Sequence, residues 1–302
     1  MKNRLPVLLI VCAALNAGVP TTRAQAPVPG VESGLVRTVP FEHLSDKNIT
    51  LDGRRALAIR SAEWKHAETP HFVFHFFRTS VAAPVWAEAE FYHRYITADL
   101  EGNRGEAGGG PKTHIYLFES RADWVEFRKA AQLEPWTGAV HIDGALFVPR
   151  YPEYKWKGSA LGHEIAHLLV YRFVGTRTPL WLKEGYAEDV SSRGYAAFYR
   201  ARGYLSTPRE LIPAGWIPLA QLTAFAKYPE EKEVATFYRE ARALVAFLSA
   251  DGSKAAFLKL HKDMGQGTPF ATALRAAYGS RWSSLEVLEA EFKKHMELMS
   301  GL

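Results

Sequence analysis

The 302-residue chain holds 37 Lys and Arg against 32 Asp and Glu, a formal charge of +5, and a single cysteine. One cysteine excludes a disulfide framework, and cations that never run longer than a pair exclude a nucleic-acid-binding surface. After the first residues no apolar stretch approaches the twenty residues of a membrane span.

The chain opens Met1-Lys2-Asn3-Arg4, runs apolar from Leu5 to Ala17, and reaches a small-residue site at Ala24-Gln25-Ala26. A charged start, a short apolar run and an A-x-A site predict a secretory signal over 1–26. Cys12 lies inside it, so the mature chain has no thiol. Removing Lys2, Arg4 and Arg23 takes the formal charge from +5 to +2. The expected location is the periplasm or the exterior, with no anchor left after cleavage.

Residues 27–60 read as an N-terminal extension with a short strand, 61–175 as a sheet-containing lobe, and 176–302 as a helical lobe. His71-Phe72-Val73-Phe74-His75-Phe76-Phe77 has the β-branched and aromatic content of a strand. His71 and His75 then share one face, as ordinary strand histidines. Val85, Ala89, Tyr92 and Ile96 place a helix over Val81–Leu100. Gly102–Gly110 reads as a connection, since the stretch lacks the strand context of a nucleotide-binding loop. Thr113–Phe118 is a second strand and Asp123–Ala131 a helix. Residues 137–149 give two short strands about an Asp143-Gly144 turn. Arg150, Tyr151, Tyr154 and Trp156 follow, near the expected cleft.

The stretch from Gly162 to Glu188 reads GHEIAHLLVYRFVGTRTPLWLKEGYAE. His163 and His167 stand four apart, so on a helix their imidazoles share a face, as two nitrogen ligands of one zinc must. Glu164 follows the first His closely enough to meet a metal-bound water. Leu161, Ile165, Ala166, Leu168, Leu169 and Val170 leave Glu164 the only charge in that helix. A buried carboxylate beside two imidazoles needs a partner such as a metal. A second helix begins after Pro179, with Glu184 and Glu188 on one face. Either can complete a set of two His and one Glu, and spacing alone does not choose.

Later helices are marked by Pro208, Pro213, Pro218 and Pro229. Glu233–Ala250 carries Phe237, Tyr238, Ala241, Leu244, Val245 and Leu248, ending before Asp251-Gly252. Ser253–His261 and Pro269–Tyr278 continue the lobe. Leu285, Leu288, Phe292 and Met296 form the core stripe of the last helix.

HExxH followed by Trp181-Leu182-Lys183-Glu184-Gly185-Tyr186-Ala187-Glu188 resembles the gluzincin metallopeptidases, the thermolysin-like, peptidase MA-like group. That resemblance implies a zincin-like α+β fold, with a small mixed sheet and helices followed by a helical lobe. It implies Zn2+ on His163, His167 and Glu184, with Glu188 one turn on holding an imidazole N–H. Glu164 is then the general base for hydrolysis of a peptide or protein substrate. The strand Gly144-Ala145-Leu146-Phe147-Val148 sits where the family's exposed edge strand pairs with extended peptide, and a plain structural hairpin fits it as well. No acid follows Asp143 there, whereas related aminopeptidases carry a Glu for the substrate amine, so the expectation is an endopeptidase. Tyr238 opens a helix of the form Y-x-x-A-x-x-L-V-x-x-L, matching the family's oxyanion donor; a core tyrosine on an amphipathic helix is the competing expectation. Two other functions compete: an envelope binding protein that keeps metal without turnover, and a structural zinc site. The latter needs a fourth Cys or His, and none is spaced for it.

Overall fold

Alternate residues of three strands enter two different cores. Phe72, Phe74, Phe76, Ile115, Leu117, Leu146 and Val148 belong to one, and Tyr116, Phe118, Ala145 and Phe147 to the other. Strands buried on both faces read as continuous apolar runs, which is why FVFHF, THIYLF and ALFVP show no polar alternation. The computed structural model describes residues 37–101, 111–154, 158–200, 216–250, 253–279 and 281–300. The predicted signal, Cys12, the Gly102–Gly110 connection, Trp156, Pro208, Pro213 and the Asp251-Gly252 stop lie outside these residues.

The protein is mixed α+β, with one six-stranded sheet. Its strands are β1 (Thr38–Val39), β2 (Lys65–Glu68), β3 (Phe72–Phe76), β4 (Thr113–Phe118), β5 (Val140–Ile142) and β6 (Ala145–Pro149). The spatial order is β1-β2-β3-β4-β6-β5, with β3, β4 and β6 parallel and the outer pairings antiparallel. Asp143 and Gly144 both take positive φ, 49° and 84°, the hand that joins two strands through a two-residue turn.

This order corrects one expectation. Ala145, Leu146 and Phe147 lie in β6, which is fully buried between β4 and β5, so it is not an exposed edge; Gly144 belongs to the turn. The edge strand on that side of the sheet is β5, and β1 is the other edge. The turn was readable from sequence, but which arm paired with β4 depends on a contact between Ile115 and Leu146, far apart in the chain.

One sheet face carries α2 (Thr79–Glu101), α4 (Ala160–Phe173) and α5 (Leu180–Arg200). The other carries α1 (Leu51–Ala58) and α3 (Arg121–Ala130), with Trp124 and Phe127 stacked toward Phe118. Tyr151 packs on that second core, away from the expected cleft. Beyond α5 come α6 (Leu219–Leu222), α7 (Glu231–Ser249), α8 (Lys254–Gly265), α9 (Phe270–Tyr278) and α10 (Leu285–Ser300). Each fully buried Phe or Leu in these layers contributes about 1.5–3 kcal/mol. Among the described residues, no helix is long and apolar enough to cross a membrane.

His71 and His75 do not share a face. His71 precedes β3 and turns to α2, where its Nδ1 lies 2.7 Å from Glu90 Oε2 and its ring stacks on His93. His75 is buried on the opposite side, stacked on Tyr116.

Candidate metal centre

Every residue of α4 from Ala160 to Val170 is buried, because the helix lies between the sheet and α5. Its apolar residues account for that burial, and the polar trio His163, Glu164 and His167 is carried inside with them. One helical turn brings the His163 and His167 Nε2 atoms to 2.9 Å, with the rings nearly perpendicular.

α5 crosses beside them and delivers Glu184. Its Oε2 lies 3.3 Å from His163 Nε2 and 3.4 Å from His167 Nε2. Glu188, one turn later, sets Oε1 3.1 Å from His163 Nδ1, on the far side of the same ring. Thus Glu184 joins the converging donor atoms, and Glu188 faces the imidazole from behind.

The charge balance is uneven. Burial opposes charge on both rings, but Glu184 and Glu188 overcome it at His163, which is pushed up to about 10. Burial prevails at His167, which falls to about 4. Burial also opposes ionisation of Glu184, yet the imidazoles hold it well below the usual carboxylate range. A cation and the shared imidazole proton compete for the same lone pairs.

Three donor atoms, His163 Nε2, His167 Nε2 and Glu184 Oε2, lie within 4.8 Å of one another and are all buried. Glu184 is fully buried, and among the described residues its Oε2 has no contact of good hydrogen-bond geometry beyond its ion-pair distances to the two imidazoles. An ionised carboxylate in that condition is costly unless a cation faces it, so the residues fit a bound metal. Two imidazoles and a carboxylate suit several divalent first-row ions, zinc among them.

Glu164 is also fully buried, and among the described residues neither oxygen has a hydrogen bond of good geometry. Burial raises its pKa to about 8, and the backbone N–H of His141 on β5 offsets this only in part. A carboxyl so placed near neutrality is suited to taking and returning a proton.

A further tyrosine, not foreseen from sequence, completes the wall. Tyr228 donates its phenol to Glu184 Oε1 at 3.0 Å, and Lys183 Nζ lies 3.4 Å from the same oxygen. The Tyr228 ring stacks on Tyr238 of α7, and Tyr238 in turn sits 6.4 Å from the His163 ring. Tyr228 precedes α7 in an irregular segment with no periodicity to mark it. Its neighbour Pro229 was the only local signal.

A scan against protein-family models and a search of curated proteins both return no match for this chain.

Proposed function

We propose that the protein is a zinc-dependent peptidase of the gluzincin type, with a zincin-like arrangement of sheet, metal helix and helical lobe. The observation that carries this reading is the buried convergence of His163 Nε2, His167 Nε2 and Glu184 Oε2 beside the fully buried carboxyl of Glu164. When bound, zinc supplies Lewis-acid polarisation of a carbonyl and a water acidified toward neutrality. His163, His167 and Glu184 hold it, and Glu188 fixes the tautomer and tilt of His163.

Glu164 accepts the proton of the attacking water and returns it to the leaving amine. Tyr238 lends its O–H to the oxygen on which charge develops. An extended substrate adds to β5, the edge strand beside β6, whose His141 backbone N–H already reaches toward Glu164. Neither β5 nor β6 carries an acid to hold a substrate amine, which favours cleavage of internal bonds.

Hydrolysis of casein by the purified protein tests the reading. Activity should vanish with a chelator and return with zinc, and Glu164→Gln should lower it at least about a hundredfold with metal retained. Undiminished hydrolysis by Glu164→Gln would remove Glu164 from the chemistry.

A further inference from the structure

On the sheet face turned away from α4, three imidazoles stand in series. His66 on β2 and His75 on β3 are cross-strand partners with their Nδ1 atoms 2.8 Å apart. His75 Nε2 lies 2.8 Å from His114 Nδ1 on β4, and His114 Nε2 is 3.8 Å from Asp46 Oδ1. His75 is wholly buried and His114 nearly so. Phenylalanine occupies most other positions of β3 and would pack here without the cost of buried polar atoms. Each N···N contact holds one proton, so the direction of the chain is set at its two ends.

The inner end is Asp46. The outer end, His66, lines a cavity of about 790 Å³ between residues 41–50, α1 and the approach to β2. That volume suits a small molecule. Among the described residues no acid lines the cavity, but Lys47 and Arg54 do. Both are exposed, and among the described residues neither meets a carboxylate: Lys47 Nζ donates to the Glu42 carbonyl at 3.0 Å and Arg54 to the Ile49 carbonyl at 2.9 Å. Phe41 and Trp64 supply apolar wall.

We propose that this cavity binds a small organic anion, its acid group held by Lys47 and Arg54 and its apolar body against Phe41 and Trp64, and that the His66–His75–His114 chain takes up one proton from solvent as the anion enters. The added proton gives the chain one positive charge, shared between the anion at one end and Asp46 at the other. Burial holds His66, His75 and His114 below the usual imidazole range, so the empty cavity has a neutral chain near pH 7. The nearby carboxylates, Glu68 at His114 included, offset this burial only in part. Glu42 draws His66 upward, Asp46 draws His114 upward, and Glu68 is engaged by Ser45 and Lys112. An anion in the cavity adds a negative charge beside His66, which favours the protonated chain. The site lies across the sheet from the metal centre and does not depend on it.

Isothermal titration of the full chain with phenyl phosphate, benzoate and inorganic phosphate tests this, in two buffers of different ionisation enthalpy at pH 7. Phenyl phosphate or benzoate should bind one to one with uptake of about one proton, and inorganic phosphate about tenfold more weakly. Lys47→Ala and Arg54→Ala, changes at exposed residues, should each weaken binding about tenfold or more. His66→Gln should retain binding but lose the proton uptake, and Glu164→Gln should bind as the wild type does. The proposal is overturned by any of three results: no binding of either organic probe at millimolar concentration, affinity indifferent to both cation variants, or unchanged proton uptake in His66→Gln.

Discussion

Tyr228 donates to Oε1 of Glu184 across 3.0 Å, and Oε2 of the same carboxylate faces Nε2 of both His163 and His167. One oxygen is therefore tied to the helical lobe while the other is presented to the centre. The hydrogen bond fixes which oxygen does which, so Tyr228 positions Glu184, and it also engages the neighbouring Tyr238.

The two tyrosines should separate in kinetics. Tyr228→Phe removes one charge-assisted hydrogen bond, and metal affinity should fall about tenfold, the lower end for a residue that orients a ligand. Tyr238→Phe should leave metal content unchanged and lower kcat about a hundredfold, with KM and Tm nearly constant. Metal titration and steady-state kinetics on both variants check this. A loss of stability with normal turnover would make Tyr238 a packing residue.

Gly185 follows Glu184 directly, and its Cα faces the Ala241 carbonyl of α7 with no room for a methyl group. Here α5 packs directly against α7, the helix that carries Tyr238. Gly185→Ala should destabilise the fold by about 1–3 kcal/mol and weaken metal binding as well, since the two helices must part. Urea denaturation with and without metal measures both effects. Wild-type values would show that α5 and α7 are not packed at Gly185.

His261 on α8 is wholly buried against Tyr186 and Phe257, and among the described residues neither ring nitrogen has a hydrogen bond. Burial lowers its pKa from 6.5 to about 3. The unfolded chain then binds more protons than the folded one between these values, so stability is full above pH 6.5 and declines as pH falls toward 3. At pH 5 this one group costs about 2 kcal/mol. His75, His93 and His141 are lowered in the same direction by burial. Denaturation at pH 7 and pH 5 should show the loss, and His261→Phe should reduce the slope. An unchanged slope would show that His261 is already protonated when folded or accessible to water.

Local periodicity made much of this legible. His163 and His167 lie one helical turn apart, and no tertiary information is needed to put them on one face. The apolar residues around them announced a buried helix, and the Asp143-Gly144 turn announced a hairpin. What was hidden depends on long-range pairing. The position of β6 inside the sheet follows from its contact with β4, and so the edge on that side fell to β5. Lys65–Glu68 became a strand without β-branched residues because β1 and β3 flank it. His66, His75 and His114 come from three strands, so no spacing in the sequence links them. Tyr228 reaches Glu184 from an irregular segment 44 residues later.

Metal content of the purified chain, read by mass spectrometry, tests the central claim most directly. About one zinc per chain is expected, falling steeply in His163→Ala and Glu184→Ala. Glu188→Ala should keep the metal with affinity weakened about 10–100-fold. A wild-type protein that purifies without metal and stays inert when zinc is added would contradict the account, and a greater loss in Glu188→Ala than in Glu184→Ala would reverse the roles assigned to the two glutamates.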